Sequence, residues 1–405
     1  MDSPQPRIAT LVLCTSAGEV LGELPPFQAE VPWWQDAEGL VRRVRQDHGA
    51  AVTILRLLQA AQPEPPGGAV TYLAEVDEEE ANRLPLAAWP GTLDQDPLRV
   101  SYAEPGGPAR DLAWAENALE EHGVRQCGRA EQVRTWNLSS LWRIPAESGW
   151  VWLKCVPPFF AHEGAILALL AGRSVPRLLA QQGGRILMPE IPGTDQYDAQ
   201  PPTLMTLVSM LVAIQAEWVG REDELLGLGL PDWRAAALVE AVESVVRRTA
   251  PQLPDDDRQA LDHFLESIPH RFASLEECGI PDSLVHGDFA PGNARGDGRR
   301  LVLLDWGDCG VGHPLLDQSA FVDRIPPQLV PDVREHWNRQ WRNAVPAADP
   351  RRAADLLAPV AAARQAVIYQ GFLDRIEPSE HPYHRADPAR WLSRAAALTR
   401  SPASG

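Results

Sequence analysis

The sequence predicts an α+β protein in three parts: a small α/β domain over 1–108, a five-stranded antiparallel lobe over 109–193 and a helical lobe over 194–405. Three observations carry this. Up to residue 193, short apolar runs are broken by Gly and Pro, the pattern of strands joined by tight turns. Beyond it, apolar residues recur at helical spacing over long stretches. One mixed island, LVHGDFAPGNARGDGRRLVLLDWGDCGVGHPLLD (284–317), interrupts the helices. At 405 residues, 44% hydrophobic and 23% charged, the chain has the composition of an ordinary globular protein. It is long enough for two or three domains and for a core that needs no disulfide or structural metal.

Taken in order, residues 7–32 read as short strands with turns, 36–48 as a helix stopped by Gly49, and AVTILRLL (51–58) and AVTYLAEV (69–76) as strands around the loop QPEPPGG. The Pro- and Gly-rich YAEPGGPARD (102–111) marks the first boundary. RDLAWAENALEEHG then reads as a helix, EQVRTWN, LWRIPA and WVWLKCV as three strands, and EGAILALLAG as a helix. PRLLAQQ and RILMPE, separated by Gly-Gly, read as a hairpin. Helices are expected over 202–219, 231–249, 256–274, 328–344, 351–375 and 387–399.

A net charge of −18 argues against nucleic acid, whose phosphates need a basic footprint. It favours cationic small molecules near a site, although solubility alone accounts for it equally well. Five scattered cysteines without a CxxC point to a reducing cytoplasm. The run IATLVLC lacks a basic flank and is too short for a signal peptide or membrane span, so no membrane partner is expected.

The island carries the chemistry. VHGDFAPGN sets Asp288 and Asn293 five residues apart in a turn-rich loop, and the apolar run LVLLDW ends at Asp305. Mg²⁺ takes few protein oxygens together with water and substrate phosphates. Phosphoryl transfer needs one Asp for the attacking hydroxyl, further oxygens for metal, and a cation on the phosphates. HGDFAPGN followed by LDWGD, with Asp305 twelve residues after Asn293, resembles the aminoglycoside phosphotransferase and choline kinase family, which has the protein-kinase fold. The resemblance covers about 109–405, and GHPLLD (312–317) is similar to the segment that follows the family's metal-binding Asp. It implies that Asp288 is the catalytic base, that Asn293 and Asp305 hold Mg²⁺, and that His286 braces the loop. Asp308 and Asp317 are weaker candidates, with structural hydrogen bonding as their alternative.

Lys154 is the chain's one lysine, so 36 of its 37 basic residues are arginines. It lies on the third strand of the five-strand block, where a kinase-like fold carries a lysine to the nucleotide phosphates. Glu163, nine residues on in the opening turn of the next helix, is its expected partner. A compact ammonium with three donors serves a carboxylate and phosphate oxygens in a way that a planar guanidinium does not. The turn WNLSSLW offers Ser139 and Ser140 in place of a Gly-rich phosphate loop, as enzymes of the resembling family often lack those glycines; an ordinary hairpin turn is the alternative. MPEIPG (188–193) falls where a kinase-like chain crosses between lobes, which places Glu190 and Ile191 at the adenine.

RRVRQDHG (42–49) resembles a worn Nudix box in which Arg43, Gln46 and Asp47 stand at metal-binding positions. One carboxylate does not hold the metals that chemistry needs, so a Nudix-like domain without hydrolase activity is expected, with a plain α/β cap as the alternative. Trp337 and Trp341, four apart on one helix face near Glu335, are candidates for holding a cationic head group or for plain packing, and 368–377 is a candidate acceptor wall. Together these readings imply a cytoplasmic O-phosphotransferase using ATP (or GTP) and Mg²⁺ on a small hydroxylated acceptor such as an amino sugar, amine, sugar or antibiotic. The alternative is a nucleotide-binding regulatory pseudokinase whose N-terminal domain makes the interaction. A Nudix-type hydrolase is a third reading, disfavoured by the lost glutamates.

Overall fold

The computed structural model describes residues 4–400. Contacts divide them into two compact units. One holds the residues through Gly164, Leu178–Glu190 and Phe372–Ala386; the other holds Ala165–Arg177, Ile191–Gly371 and the residues from Asp387 onward.

The first unit contains two sheets. The first sheet runs β2 (Val20–Glu23), β1 (Arg7–Cys14), β5 (Gly68–Val76), β4 (Val52–Ala60), with β3 (Phe27–Gln28) also on β1. The β1–β5 pair is parallel, from Arg7 opposite Gly68 to Cys14 opposite Glu75. Helix α1 (Glu38–His48) contributes Leu40 and Val44 to a core with Leu11, Leu13, Trp34, Ile54, Leu57 and Tyr72. The short helix α2 (Glu78–Ala81) follows β5, and α3 (Gly107–Glu121) opens within the Pro- and Gly-rich passage.

The second sheet is antiparallel and has the order β6 (Glu131–Trp136), β7 (Ser139–Ala146), β8 (Gly149–Cys155), β10 (Arg185–Pro189), β9 (Ala180–Gln182). Helix α4 (His162–Leu169) precedes β9 in the chain. The β9–β10 hairpin turns on Gly183 at φ 53° and Gly184 at φ 88°, the left-handed pair that a two-residue turn demands. Side chains alternate along β8. Val151, Leu153 and Cys155 join Ala115, Ala118 and Leu119 of α3 in one core, while Trp152 and Lys154 remain half-buried.

Strand β4 is the edge of its sheet, and an open edge invites pairing with another chain. Side chains cap it here. Gln132 accepts from Ile54 N at 2.8 Å and donates to Ile54 O at 2.7 Å. Glu380, from the returning segment 372–386, accepts from Leu57 N at 2.8 Å and from Asn137 Nδ2 at 3.1 Å. Beside it Glu377 pairs with Arg99 at 2.7 Å and with Arg56 at 3.7 Å.

Burial pushes the Glu380 carboxyl up to about 7 from the ordinary 4.5. The folded state therefore holds a proton that the unfolded chain has released, and this contribution to stability is present at low pH and lost as pH rises from 4.5 through about 7. Glu380→Gln is expected to flatten that segment of the stability–pH profile, so that the wild-type-minus-variant difference changes by a few kcal/mol between pH 5 and pH 8. Urea titrations across this range would measure it, and parallel profiles would refute it.

The second unit is mainly helical: α5 (Pro201–Glu217), α6 (Glu222–Gly227), α7 (Ala235–Thr249), α8 (Asp255–Glu277), α9 (Leu316–Val322), α10 (Val330–Ala344), α11 (Pro350–Leu373) and α12 (Asp387–Arg400). Among them lie two three-stranded sheets: β11 (Thr194–Asp195), β14 (Ala294–Gly296), β15 (Leu301–Leu303), and β12 (Asp232–Trp233), β16 (Gly310–Gly312), β13 (Ser283–Val285). The predicted island is built from the four strands β13–β16 and the turns between them. All five cysteines are free, and among the described residues no helix is long and apolar enough to cross a membrane.

Candidate active site

In the first unit, Lys154 lies near the C-terminal end of β8, opposite Leu141 of β7 and Ile186 of β10. Its Nζ donates to Oε1 of Glu163 at 2.7 Å, with the two side chains 14% and 3% exposed. A desolvated pair of this kind gains from a low local dielectric but depends on both partners being present.

Ser139 and Ser140 are both buried at the start of β7. Each hydroxyl accepts from an indole N–H, Ser139 from Trp136 at 3.2 Å and Ser140 from Trp142 at 3.1 Å. Glu190 donates its N–H to Trp150 O at 2.9 Å and accepts at its carboxylate from the Trp152 indole. The chain passes from one unit to the other between Glu190 and Ile191, and Ile191 O accepts from Arg295 Nε at 2.8 Å.

In the second unit the loop after β13 is fixed from several sides. Asp317, fully buried at the start of α9, accepts from the backbone N–H groups of His286 and Gly287, both at 2.8 Å, and from Gln215 Nε2 at 2.9 Å. Gly287 has φ 91°, and a Cβ there would lie 2.0 Å from Asp308 O, so only glycine fits. His286 is buried and donates from Nε2 to Leu304 O at 3.0 Å, tying the loop to the residue before Asp305. Its ring lies 4.4 Å from that of Trp306. Burial holds this imidazole below its usual range and pushes the Asp317 carboxyl up. His286 thus braces the loop as a neutral ring.

Asn293 Nδ2 donates to Asp288 O at 2.7 Å and to Asp288 Oδ2 at 2.8 Å. Leu304 N donates to Asn293 O at 2.8 Å, so Asn293 and Asp305 stand on neighbouring segments. Asp305 is exposed and is the one non-glycine residue at positive φ among the described residues, at 59°. Left-handed backbone is uncommon for a side-chain-bearing residue and concentrates at functional sites. The amide nitrogen of Asn293 is committed to Asp288, and its Oδ1 and the Asp305 carboxylate are oxygens of the kind a hard cation takes. Among the described residues no cluster of three His, Cys, Asp or Glu side chains is placed to hold a metal. Two protein oxygens fit Mg²⁺, which keeps several waters and takes substrate phosphates as its remaining ligands.

Arg324 was not singled out from the sequence. Its Nη1 donates to Asp288 Oδ1 at 2.6 Å. It lies just beyond α9, 36 residues from its partner, and no local pattern announces it. Arg364, buried under the loop, donates to Gly287 O at 3.3 Å and Asp308 O at 3.4 Å.

Trp337 and Trp341 are fully buried. Trp337 packs edge-on against Phe289 and Phe321, with both centroids at 5.8 Å, so this helix face is spent on packing. Of 368–377, Phe372 stacks with Phe159 at 5.8 Å, and Ile376 and Glu377 are buried in the first unit. On α1, Arg43 pairs with Asp47 at 2.5 Å, which occupies the last carboxylate of the worn box.

The anchoring role of Asp317 is testable. Asp317→Asn turns one acceptor into a donor facing a donor and leaves a buried N–H unsatisfied, at a cost of about 1–3 kcal/mol. Urea denaturation is expected to show that loss, and an unchanged midpoint would remove Asp317 from the loop's support.

A family model described as the phosphotransferase enzyme family matches residues 156–396. Among solved structures, a candidate aminoglycoside phosphotransferase from Ralstonia eutropha JMP134 is 16% identical, over 72% of this chain and 98% of its own, with a TM-score of 0.51. A choline/ethanolamine kinase family protein from Mesorhizobium loti is 15% identical over 72% and 95%, at 0.49. A macrolide 2'-phosphotransferase from Brachybacterium faecium is 17% identical over 67% and 97%, at 0.46. At such identity the likeness is one of fold, and the first of the three carries it. No curated protein matches the sequence.

Proposed function

The chain belongs to the phosphotransferase enzyme family, and from that premise we propose that it transfers the γ-phosphate of ATP or GTP to a hydroxyl of a small acceptor, with Mg²⁺. The observation that carries this reading is the bonding of Asp288, Asn293 and Leu304, which sets a candidate base beside two oxygens suited to a hard cation.

In this reading Asp288 orients the acceptor hydroxyl and takes its proton as the new phosphorus–oxygen bond forms and the γ-phosphorus bond to the bridging oxygen breaks, releasing the nucleoside diphosphate. Asn293 and Asp305 hold the metal, which when bound neutralises phosphate charge. Lys154, held by Glu163, donates to phosphate oxygens. Glu190 and Ile191 offer backbone groups to the base, and the serines at 139 and 140 offer their turn to the phosphates. Most of the rate then comes from positioning and charge neutralisation. The acidic chain works in the cytoplasm on a hydroxylated amine, amino sugar, sugar or antibiotic. Residues 1–108 serve as a Nudix-like domain without hydrolase activity, a reading supported by the Arg43–Asp47 pair.

One observation favours a second reading, a nucleotide-binding protein of weak activity. The Arg324 guanidinium occupies Asp288 Oδ1, where an acceptor hydroxyl must approach. A phosphate-transfer screen with ATP or GTP and Mg²⁺ over hydroxylated amines, sugars and antibiotics separates the two. Turnover of any acceptor supports the enzyme. A thermal shift with Mg–ATP and no transfer to any of them supports the second reading.

A further inference from the structure

A cavity of about 310 Å³ opens in the second unit between the C-terminal end of α8 and the β13–β16 pair. Its volume lies at the lower end of small-molecule sites. Phe272, Leu275 and Ile280 give it an apolar wall, and Glu276 and Asp282 give it carboxylates. Burial pushes Asp282 up against the pull of the Arg234 guanidinium, with the carboxylates of Glu222, Asp232 and Glu276 adding to the rise. The nearby Arg234 is spent on Asp232, at 2.7 Å.

The residue that points to a ligand is His313, which also lines the cavity and is 6% exposed. Its Nδ1 accepts from Leu315 N at 3.2 Å, and burial takes the ring down to about 3, so the imidazole is neutral with its proton on Nε2. That Nε2 is buried without a hydrogen-bond partner. An orphan buried donor costs about 1–3 kcal/mol and calls for an explanation in a native structure.

We infer that this cavity is a second small-molecule site, which takes a compact cationic amine carrying a hydrogen-bond acceptor. The ammonium faces Asp282 and Glu276, the acceptor meets His313 Nε2–H, and the carbon body lies on Phe272, Leu275 and Ile280. The site stands at the opposite end of the β13–β16 pair from Asp288. Asp282 immediately precedes β13, which runs into His286, and His313 immediately follows β16.

The probe is 4-methoxyphenethylamine, which has the ammonium and an acceptor oxygen but no hydroxyl to phosphorylate. Its binding to the full chain is read by calorimetry and saturation-transfer NMR, with 3-(4-methoxyphenyl)propanoate as the charge-reversed control and phenethylamine lacking the oxygen. The amine is expected to bind at concentrations up to about 10 mM, phenethylamine more weakly, and the propanoate not at all. Asp282→Asn is expected to weaken it at least about tenfold. Glu276→Gln, on an exposed side chain that folding does not need, is expected to weaken it in the same direction, and Asp288→Ala to leave it unchanged. Absence of binding, equal binding of amine and propanoate, indifference to both carboxylate variants, or loss in Asp288→Ala would each overturn the assignment. None of these readouts depends on phosphate transfer.

Discussion

Asp288→Ala is expected to bind nucleotide as the parent does and to transfer phosphate about 10²–10⁴-fold more slowly, the range that a positioned general base contributes. The expectation rests on what the side chain touches. Asp288 Oδ2 accepts from Asn293 and Oδ1 from Arg324. Truncation removes both contacts, but Asn293 keeps its bond to the main-chain oxygen of residue 288. Arg324, with 37% of its side chain exposed, has water to turn to. The loop's other supports, from Asp317, His286 and Arg364, do not pass through this carboxylate. Stability should therefore change by no more than about 1 kcal/mol, the scale of a partly exposed ion pair. Calorimetry with Mg–ATP and a single-turnover transfer assay separate binding from chemistry. Near-normal turnover would reject Asp288 as the base, and loss of nucleotide binding would place its role in the ground state.

What the sequence made legible was local. The β6–β7–β8 run follows from strands and turns that are neighbours in the chain, whereas the pairing of β10 with β8 skips α4 and β9; Gly183–Gly184 announces its hairpin because the required φ values are those glycine adopts freely. Lys154 and Glu163 stand nine residues apart, one strand and one turn, so their 2.7 Å contact could be anticipated. The Asp288–Asn293 contact is legible for the same reason, being within one loop.

Partners set by distant packing were not legible. Glu380 caps an edge strand 323 residues away, and its composition-neutral surroundings (PSEHPY) say nothing of burial. Arg324 is one of 36 arginines and has no pattern to distinguish it. Trp337 and Trp341 satisfy the spacing of an aromatic face equally well whether that face holds a ligand or a core; Phe289 and Phe321 decide for the core. The role of Asp317 as the loop's anchor was open as one of two alternatives, and only its three donors resolve it.

Lys154→Arg is the second large effect, and the more informative for a chain that uses arginine everywhere else. The substitution keeps the charge, so Glu163, 3% exposed, keeps a cation within reach. Lys154→Met would instead strand a buried carboxylate at a cost of about 3–5 kcal/mol and confuse stability with function. The guanidinium differs in shape. It is wider and planar, and its fork prefers two parallel bonds to one carboxylate, so it will engage Glu163 side-on in place of the ammonium's 2.7 Å contact. Neighbouring strands leave little room to adjust, because Lys154 lies between Leu141 and Ile186 in a five-stranded sheet whose other face is packed on α3. A displacement of about 1 Å at a phosphate-binding group costs about 10²-fold in rate. The expected result is a melting temperature within a few degrees of the parent, the nucleotide KM raised at least about tenfold and kcat/KM lowered about 10²-fold. A variant with unchanged nucleotide kinetics would mean that this position holds Glu163 for structural reasons alone, and that another cation serves the phosphates.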